Sequence, residues 1–324
     1  MKKKTILIFG VSSFVGSNLA EYFKRDYRVI GTYFKNKVKI DGVLTFPCDV
    51  LKKSQIQTAI YTFRPDLTIY AVGLSSLDDC YHYPKLADAL NAVGVFNVSG
   101  FSERYRSRFC FISSSYIFPG HNVVYKENDT PMPGTVYGNT LASSEFYVQK
   151  SCLNYLIFRC CPLYGRSYNN HQLNFFELLE RRYAEGKTLT CDNKVFTGHL
   201  DIYYLSRAIQ LALEADIRNR LFQLTSKDYG TYFNFAKTYA KVFGKSEGSI
   251  QKGDWDFPAE NLRYAIKMID TENYFYKMNQ QNLETTLNFE MPTIEESLKF
   301  TKLRLGSTNQ MKKKNTKAAG VSFI

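Results

Sequence analysis

The sequence predicts an α/β fold, a doubly wound parallel sheet with a smaller, interleaved C-terminal lobe. Short apolar runs alternate with amphipathic helical patterns through the first half of the chain, which is typical of parallel strands joined by crossover helices. The apolar runs are hydrophobic almost throughout, as expected of strands that are buried on both faces. A glycine-containing turn, GVSSFVG, follows the first run and leads into a helix.

The elements follow from these patterns in order. The first strand is TILIFG and its helix is FVGSNLAEYFK; the next three strands are YRVIGTYF, GVLTFP and DLTIYAVG, with the helix SQIQTAIYTFR before the last of them. A helix over residues 83–103, the strand RFCFISSS, a helix from Tyr137 and the strand YLIFRC bring the predicted sheet to six strands. After Gly165 we expect a helix near 174–185, a short strand around Leu189 and a crossover helix over 202–214.

Length and charge exclude several classes of protein. At 324 residues and 44% hydrophobic composition, the chain can bury one large core or two moderate ones. The formal net charge is +12, but seven of these charges are lysines close to the two ends, which leaves +5 for the rest and argues against nucleic-acid binding. These lysines are Lys2, Lys3, Lys4, Lys312, Lys313, Lys314 and Lys317. No apolar stretch reaches the roughly 18 residues needed to span a bilayer, so we expect a cytoplasmic protein with no membrane contact.

The cysteines and histidines do not predict a metal site. The seven cysteines are odd in number and scattered, with neither a CxxC pair nor a zinc-type spacing, so we expect reduced thiols. His82, His121 and His171 likewise lack the spacing of metal ligands. The cysteines are Cys48, Cys80, Cys110, Cys152, Cys160, Cys161 and Cys191.

The GVSSFVG turn has the context of a phosphate-binding turn. Gly10 and Gly16 lie between a strand and a helix, where glycines allow a tight turn and close approach of the backbone to a pyrophosphate. Ser13 stands midway, where related turns carry another glycine; its Cβ narrows the approach, although its hydroxyl can donate to phosphate. We expect a dinucleotide to contact Gly10, Ser12, Ser13, Phe14, Val15 and Gly16. The alternative is a purely structural glycine turn.

The end of the second strand favours NADP over NAD. No acid stands where a ribose 2′-hydroxyl would be accepted; Tyr33, Lys35 and Lys37 follow instead, and Arg28 lies just before. These cations suit a 2′-phosphate, but NAD stays an alternative because surface lysines are common. Asp49, after the third strand, either accepts a hydrogen bond from the adenine amino group or caps the helix that begins near residue 54.

An ordered series of segments resembles the extended short-chain dehydrogenase/reductases, and within them the dTDP-4-dehydrorhamnose reductase group. The segments are SSLDDCYHYP, ALNAVGVFN, FISSSYIFPG, VYGNTLASSE, RCCPLYG and GHLDIYYLSRAI, and their order is more specific than any one of them. In the first segment Asp78 and Cys80 match the family pattern, and Tyr81 stands where an acid is expected. The resemblance implies a Rossmann-type sheet, an NAD(P) cofactor and a nucleotide-activated sugar as substrate.

The resemblance also assigns roles to single residues. Ser114 fills the place of the Ser/Thr that hydrogen-bonds a substrate carbonyl or hydroxyl, and Tyr137 that of the acid/base. Further cofactor contacts are expected from Val50, Ala71, Val72, Gly73, Asn91, Ser113, Cys161 and Pro162. Asn91 either orders the helix beneath the cofactor or is a plain side-chain cap. His199 and Asp201 match family positions, and for His199 we expect a structural rather than a catalytic role.

Leu141 departs from the family pattern, which has a lysine there. Residues four apart share a helix face, so an ammonium at position 141 would lie beside the Tyr137 ring and lower a phenol pKa of about 10 toward working pH. The same ammonium would bind the nicotinamide ribose hydroxyls. Leucine does neither, but a neutral tyrosine can still donate a proton to a carbonyl that is being reduced. Reduction therefore survives the substitution better than oxidation, which needs tyrosinate as the base.

These observations define a domain division and two candidate functions. We expect a dinucleotide-binding domain over 1–165, to which 196–224 returns, a substrate-binding lobe over 166–195 and 225–303, and a basic, disordered tail over 304–324. The first candidate is an NADP-preferring reductase or epimerase-like enzyme acting on a nucleotide-activated sugar. The second is a cofactor- or sugar-binding protein without turnover, in a regulatory or structural role like that of the beta subunit of methionine adenosyltransferase. Leu141, Ser13 and Tyr81 favour the second; the sugar, the choice between reductase, epimerase and dehydratase, and a homodimer or protein partner stay open.

Overall fold

The computed structural model describes residues 3–168, 173–253 and 272–318, with side chains through residue 306. Its strands are β1 (Thr5–Phe9), β2 (Arg28–Tyr33), β3 (Leu44–Pro47), β4 (Leu67–Tyr70), β5 (Arg108–Ser114), β6 (Val124–Tyr125), β7 (Tyr155–Cys160), β8 (Leu163–Tyr164), β9 (Leu189–Cys191), β10 (Val195–Thr197), β11 (Leu200–Asp201), β12 (Arg220–Leu224), β13 (Ile250–Lys252) and β14 (Tyr274–Met278). Its helices are α1 (Phe14–Phe23), α2 (Lys53–Phe63), α3 (Leu77–His82), α4 (Pro84–Asp88), α5 (Gly94–Arg104), α6 (Val136–Ser151), α7 (Phe175–Ala184), α8 (Ile202–Glu214), α9 (Tyr232–Phe243), α10 (Gln281–Leu287) and α11 (Ile294–Ala318).

A seven-stranded parallel sheet forms the centre of the molecule. Its strand order is β12-β7-β5-β4-β1-β2-β3, so the chain winds outward from β1 in one direction and from β4 in the other. This confirms the predicted doubly wound α/β fold. The six predicted strands are present, and β12 is a seventh that the sequence analysis missed. Its sequence RLFQL carries an arginine and a glutamine in five residues, which hides a strand that has only one neighbour.

Two cores hold the structure together. The larger one is formed by the apolar side chains of the central sheet and the helices that cover it. The smaller one is aromatic: Phe176 of α7 contacts Tyr239 and Phe243 of α9, with ring centroids 5.5 and 5.7 Å away. Leu298 of α11 is buried in the same cluster. The aromatic side chains of these helices therefore form the smaller core.

Three details bear on the predicted domain division. The strand β6, from the first half of the chain, pairs with β14 in a three-stranded sheet, and α10 packs against β12 and α8. Residues 254–271 of the expected lobe lie outside the described residues. The helix α11 extends to Ala318, into the segment 304–324 for which a disordered tail is predicted. Lysine, glutamine and methionine are strong helix formers and no proline interrupts this stretch.

Candidate active site

The carboxyl ends of the central strands bring most of the predicted site residues to one edge of the sheet. The glycine turn follows β1, the predicted 2′-phosphate residues follow β2, and Asp49 follows β3. Ala71 to Gly73 follow β4, Ser113 and Ser114 end β5, and Cys161 and Pro162 follow β7. The winding direction changes between β1 and β4, and ligands of doubly wound sheets bind at such a switch point.

The glycine turn after β1 excludes any side chain at two positions. Gly10 has φ +87°, and a Cβ there would stand 2.5 Å from the carbonyl oxygen of Ala71. A Cβ on Gly16 would stand 2.2 Å from the carbonyl oxygen of Gly10, so α1 starts in backbone contact with the strand exit. The turn therefore aims the first amides of α1 at the edge of the sheet, as a pyrophosphate requires.

Ser13 is the N-cap of α1. Its Oγ accepts from the backbone N–H of Gly16 at 2.9 Å, and its backbone is extended, with φ −74°. An extended backbone does not need glycine, so the serine fits this turn without strain. The departure from the family glycine therefore leaves the start of the helix well formed.

The loop after β2 carries exposed cations. Lys35 and Lys37 are exposed, the Nζ of Lys35 lies 5.5 Å from the ring centroid of Phe34, and Tyr33 is half-buried. Arg28, expected beside them, instead opens β2 at the opposite edge of the sheet, with its guanidinium 5.9 Å from the ring centroid of Phe63. Arg28 is the first residue of the six-residue strand β2, so the length of the strand separates it from this loop and removes it from the predicted 2′-phosphate contacts.

Asp49 stabilises the turn between β3 and α2. Its Oδ1 accepts from the backbone N–H of Leu51 at 2.9 Å, and its own N–H donates to Gln55 Oε1 at 2.7 Å. The N-cap of α2 is Lys52, which makes no side-chain capping bond, so the helix-cap alternative for Asp49 is wrong. Val50 is buried, and its carbonyl accepts from Asn97 Nδ2 at 3.1 Å.

Asn91 ties three segments together behind the exit of β4. It lies in a π-helical turn, Ala89–Val93, a geometry that is frequent at functional sites. Its Oδ1 accepts from the backbone N–H of Leu74 at 2.8 Å, and its Nδ2 donates to the carbonyl of Leu74 at 2.9 Å and to Thr140 Oγ1 at 3.1 Å. Asn91 is thus more than a helix cap: it fixes the loop after Gly73 against α6. Sequence periodicity cannot show a π turn, although the lone asparagine in an apolar helix was a signal.

The elements that carry Ser114 and Tyr137 meet through a close approach of two backbones. Ser114 precedes the 3₁₀ turn Ser115–Ile117, and its Oγ accepts from the N–H of Tyr116 at 3.4 Å. A Cβ on Gly138 would stand 2.1 Å from the carbonyl oxygen of Tyr116, so only glycine lets α6 begin against this turn. The rings of Tyr116 and Tyr137 meet edge to face at 6.2 Å. The N-cap Thr135, which accepts from the N–H of Gly138 at 3.0 Å, fixes the helix start.

Leu141 is buried one turn beyond Tyr137. Its side chain is 4% exposed and belongs to the main core, against which Tyr137 also packs. The lysine of α6, Lys150, stands in its last turn, 5.8 Å from the ring of Phe146. The face on which the family carries its ammonium is therefore apolar in this protein.

A buried ion pair anchors α6 to the sheet, and the sequence analysis did not identify it. Glu145 receives hydrogen bonds from Arg159 Nε at 3.1 Å and Nη2 at 2.8 Å, and the two side chains are 1% and 3% exposed. Arg159 Nη1 also donates to the carbonyl of Glu127 at 3.0 Å. The signal in the sequence was a single arginine within the apolar strand YLIFRC.

Three of the residues singled out between β7 and α8 are buried, namely Cys161, His199 and Asp201. His199 is 2% exposed and lies between the rings of Tyr232 and Phe235, at 4.8 and 4.7 Å, and burial lowers its pKa to about 3. A histidine with so low a pKa stays neutral near pH 7, in agreement with the structural role predicted for it. Burial raises the pKa of the Cys161 thiol to about 12, so it is not a thiolate either. Asp201 caps α8 and accepts from Arg304 of α11 at 2.7 Å.

The described residues also lack the patterns of metal sites and membrane-spanning helices. They contain no group of three or more His, Cys, Asp or Glu side chains that could hold a metal ion, and none of the seven cysteines forms a disulfide. None of the helices described is long and apolar enough to cross a membrane.

Comparison with known proteins places these features in a family. The RmlD substrate binding domain family matches residues 3–300. The dTDP-4-dehydrorhamnose reductase of Escherichia coli (strain K12) is 26% identical over 237 residues, 71% of this chain and 75% of that protein. Methionine adenosyltransferase 2 subunit beta of Bos taurus is 26% identical over 164 residues, 50% of this chain and 48% of that protein.

Solved structures share the whole fold. A dTDP-4-dehydrorhamnose reductase from Bacillus anthracis, in complex with NADP, has a TM-score of 0.77 at 20% identity and covers 94% of this chain and 99% of that chain. A UDP-glucose 4-epimerase from Thermotoga maritima, with UDP-glucose, has a TM-score of 0.77 at 18% identity, with the same coverage of 94% and 99%.

Proposed function

The chain belongs to the RmlD substrate binding domain family, and on that premise we propose that it is an NADP-preferring reductase of a nucleotide-activated sugar, slowed by its apolar Leu141. The observation that carries the proposal is the contact of the α6 start with the turn after Ser114, which sets Tyr137 beside the end of β5. The similar proteins named for reduction of dTDP-4-dehydrorhamnose and the NADP complex of one of them support it.

The cofactor fits the residues at the carboxyl edge of the sheet. Gly10 and Gly16 have no side chain that could cover the turn, and the first-turn amides of α1 would bind the pyrophosphate. Lys35 and Lys37 would bind a 2′-phosphate, and Asn91 would keep the loop at Gly73 in register with α6. When bound, the reduced nicotinamide supplies a hydride.

The protein's own side chains would position the substrate and move one proton. The hydroxyl of Ser114 would orient the keto group of the sugar, and the phenol of Tyr137 would donate its proton to the oxygen as the carbonyl is reduced. A neutral phenol can do this, so the step does not require a lysine beside the ring. Epimerase or dehydratase chemistry begins with an oxidation that needs tyrosinate, and the apolar Leu141 disfavours that anion. These considerations favour a reductase over the other two activities.

The direct test is NADPH oxidation with a panel of 4-keto sugar nucleotides. We expect slow, measurable turnover in the wild type and its loss in Tyr137→Phe, which removes one oxygen and leaves the packing of the ring. Turnover that is unaffected by Tyr137→Phe would contradict the proposed role of this residue.

The second candidate, a binding protein with a regulatory role, is favoured by one observation. Leu141 is packed in the main core, and a proton donor without a tuning cation loses part of the ~10²–10⁴-fold that a positioned acid contributes. The likeness to methionine adenosyltransferase 2 subunit beta over half of the chain agrees with such a role. Under this proposal the protein binds NADPH, but no 4-keto sugar nucleotide supports its oxidation.

A further inference from the structure

A cationic cavity of about 410 Å³ lies at the amino edge of the central sheet, opposite the candidate active site. It is bordered by the starts of β1, β4, β5 and β7 and by the turn after α8. Five of its lining side chains are cationic and two are acidic. The cations are Lys4, Arg64, Arg106, Arg108 and Arg218.

Arg108 is the buried member of this set. Its side chain is 5% exposed; Nε donates to Asn154 Oδ1 at 2.9 Å and Nη2 donates to the carboxylate of Asp216. Its Nη1 is buried and has no hydrogen-bond partner among the described residues. Arg108 is one of the residues that line the cavity. Buried guanidinium donors are normally all paired, so the unpaired Nη1 leaves Arg108 one hydrogen bond short of its usual set of acceptors.

The two acidic side chains of the cavity are too few to balance its five cations. The carboxylate of Asp66 accepts from the backbone N–H of Thr5 at 2.7 Å, and that of Asp216 is shared by Arg108 and Arg218. Within the described part of the chain, Lys4, Arg64 and Arg106 form no ion pair. The cavity therefore has a net positive charge.

Helix ends explain only part of this arrangement. Arg64 caps the C-terminus of α2 and Arg106 follows α5, and cations are favoured at the C-termini of helices. Both have positive φ, +43° and +59°, as is common where a helix ends. Arg108, however, lies within a strand, and Lys4 precedes one. Helix ends therefore do not explain why Arg108 and Lys4 line the same cavity as Arg64 and Arg106.

We propose that this cavity binds a phosphate-type oxyanion, with Arg108 as the buried donor and Lys4, Arg64 and Arg106 around it. Planar guanidinium groups and ammonium groups donate to the several oxygens of such an anion, and charge-assisted bonds of this kind are strong. The site is separate from the glycine turn, because the five-residue strand β1 puts roughly 16 Å between the two edges of the sheet.

Calorimetric titration of the full chain with pyrophosphate tests the proposal. We expect saturable binding that is unchanged by saturating NADPH, since the cofactor would occupy the other edge. Arg64→Gln and Arg106→Gln, both at exposed positions, should each weaken binding about tenfold. Arg108→Gln should abolish it, and Arg108→Lys should restore part of it. Lys245→Gln, which removes an exposed charge from the end of α9, is the matched control and should change nothing.

Two further titrations identify the source of the anion. Binding of orthophosphate without binding of adenosine monophosphate indicates a free inorganic anion, and binding of the nucleotide indicates a phosphate group on a larger ligand. Three results overturn the proposal: no binding of pyrophosphate, orthophosphate or adenosine monophosphate, displacement of pyrophosphate by NADPH, or equal weakening in Lys245→Gln and Arg106→Gln.

Discussion

The candidate active site has two parts: a nucleotide half, which is the glycine turn after β1, and a reaction half, which consists of Ser114, Tyr137 and the start of α6. The two halves differ in whether charge as well as backbone geometry is needed. At β1, backbone geometry defines the site: Gly10 and Gly16 cannot carry a Cβ, and α1 begins against the strand. At α6 the same kind of backbone contact, through Gly138, positions Tyr137, but the next turn of that face carries the buried, apolar Leu141. Both backbone contacts are present, but Leu141 occupies the position where, under the proposed function, a cation would lower the pKa of Tyr137. We therefore expect cofactor binding and turnover to be separable in this protein.

The largest effect on stability should follow from removing the buried ion pair that holds α6 against the sheet. Glu145→Gln leaves the buried guanidinium of Arg159 without its carboxylate, and loss of one partner of a buried pair lowers the free energy of unfolding by about 3–5 kcal/mol. Urea denaturation measures the change. The control is Glu295→Gln, which breaks exposed pairs with Lys241 and Lys299 and should alter stability little. Equal losses in the two variants would show that the buried pair does not anchor α6.

The nucleotide half can be broken at Gly16. In Gly16→Ala the new Cβ meets the carbonyl of Gly10, and relief of that contact moves α1 away from β1. We expect a loss of about 1–3 kcal/mol in stability and NADPH binding weakened by more than about tenfold. Gly100→Ala is the matched control, because Gly100 lies in a helix, α5, with open space around it. NADPH affinity that stays unchanged in Gly16→Ala would exclude the turn as the pyrophosphate site.

A lysine at position 141 would test whether the missing charge explains the difference between the two halves. Leu141→Lys should raise NADPH-dependent turnover by about 10–100-fold and shift its optimum to lower pH, because an ammonium favours the ionised phenol. Leu141→Met, long and uncharged, separates the effect of charge from that of side-chain length and should leave turnover near that of the wild type. If methionine raises turnover as much as lysine does, the absence of a positive charge at position 141 does not explain slow turnover.

The smallest effect concerns His199, which packs against Tyr232 and Phe235 of the smaller core, outside both halves. Since burial lowers the pKa of His199 to about 3, the unfolded chain takes up a proton below pH 6.5 that the folded chain does not. Stability from this residue is fully present well above pH 6.5 and falls as the pH drops toward 3, by about 1.6 kcal/mol between pH 6.5 and pH 5. His199→Phe keeps the ring contacts and should lose less over this range. Urea denaturation at the two pH values measures the difference, and identical losses in both proteins would refute the assignment.

Much of the fold and of the nucleotide half could be predicted because their signals are local. The strand TILIF, the turn GVSSFVG and the helix after it carry their geometry in a few adjacent residues, and the structure has each of them. Ser114 and Tyr137 were predicted from a resemblance, and Gly138 supplies the physical reason for their proximity. The roles of these residues in catalysis and cofactor binding stay predictions.

What could not be predicted depends on contacts between distant segments. The pairing of Glu145 with Arg159 and the three hydrogen bonds of Asn91 join elements that no short pattern connects. Arg28 was expected near the 2′-phosphate because it is close in sequence, but a strand carries it to the opposite edge of the sheet. The cationic cavity forms for the same reason, since its residues come from the starts of four strands that meet only in the folded sheet.

The central claim is that the nucleotide half can bind the cofactor, whereas the reaction half lacks the cation that would lower the pKa of Tyr137. Titration of the wild type and of Leu141→Lys with NADPH and NADH, followed by quenching of intrinsic fluorescence, tests it most directly. We predict that the wild type binds NADPH, more tightly than NADH, and that Leu141→Lys binds it within about tenfold of the wild type, because one donor to the ribose is a small part of the contact. A wild type that binds neither cofactor, with binding restored in Leu141→Lys, would contradict the claim and show that the nucleotide half depends on the missing lysine as well.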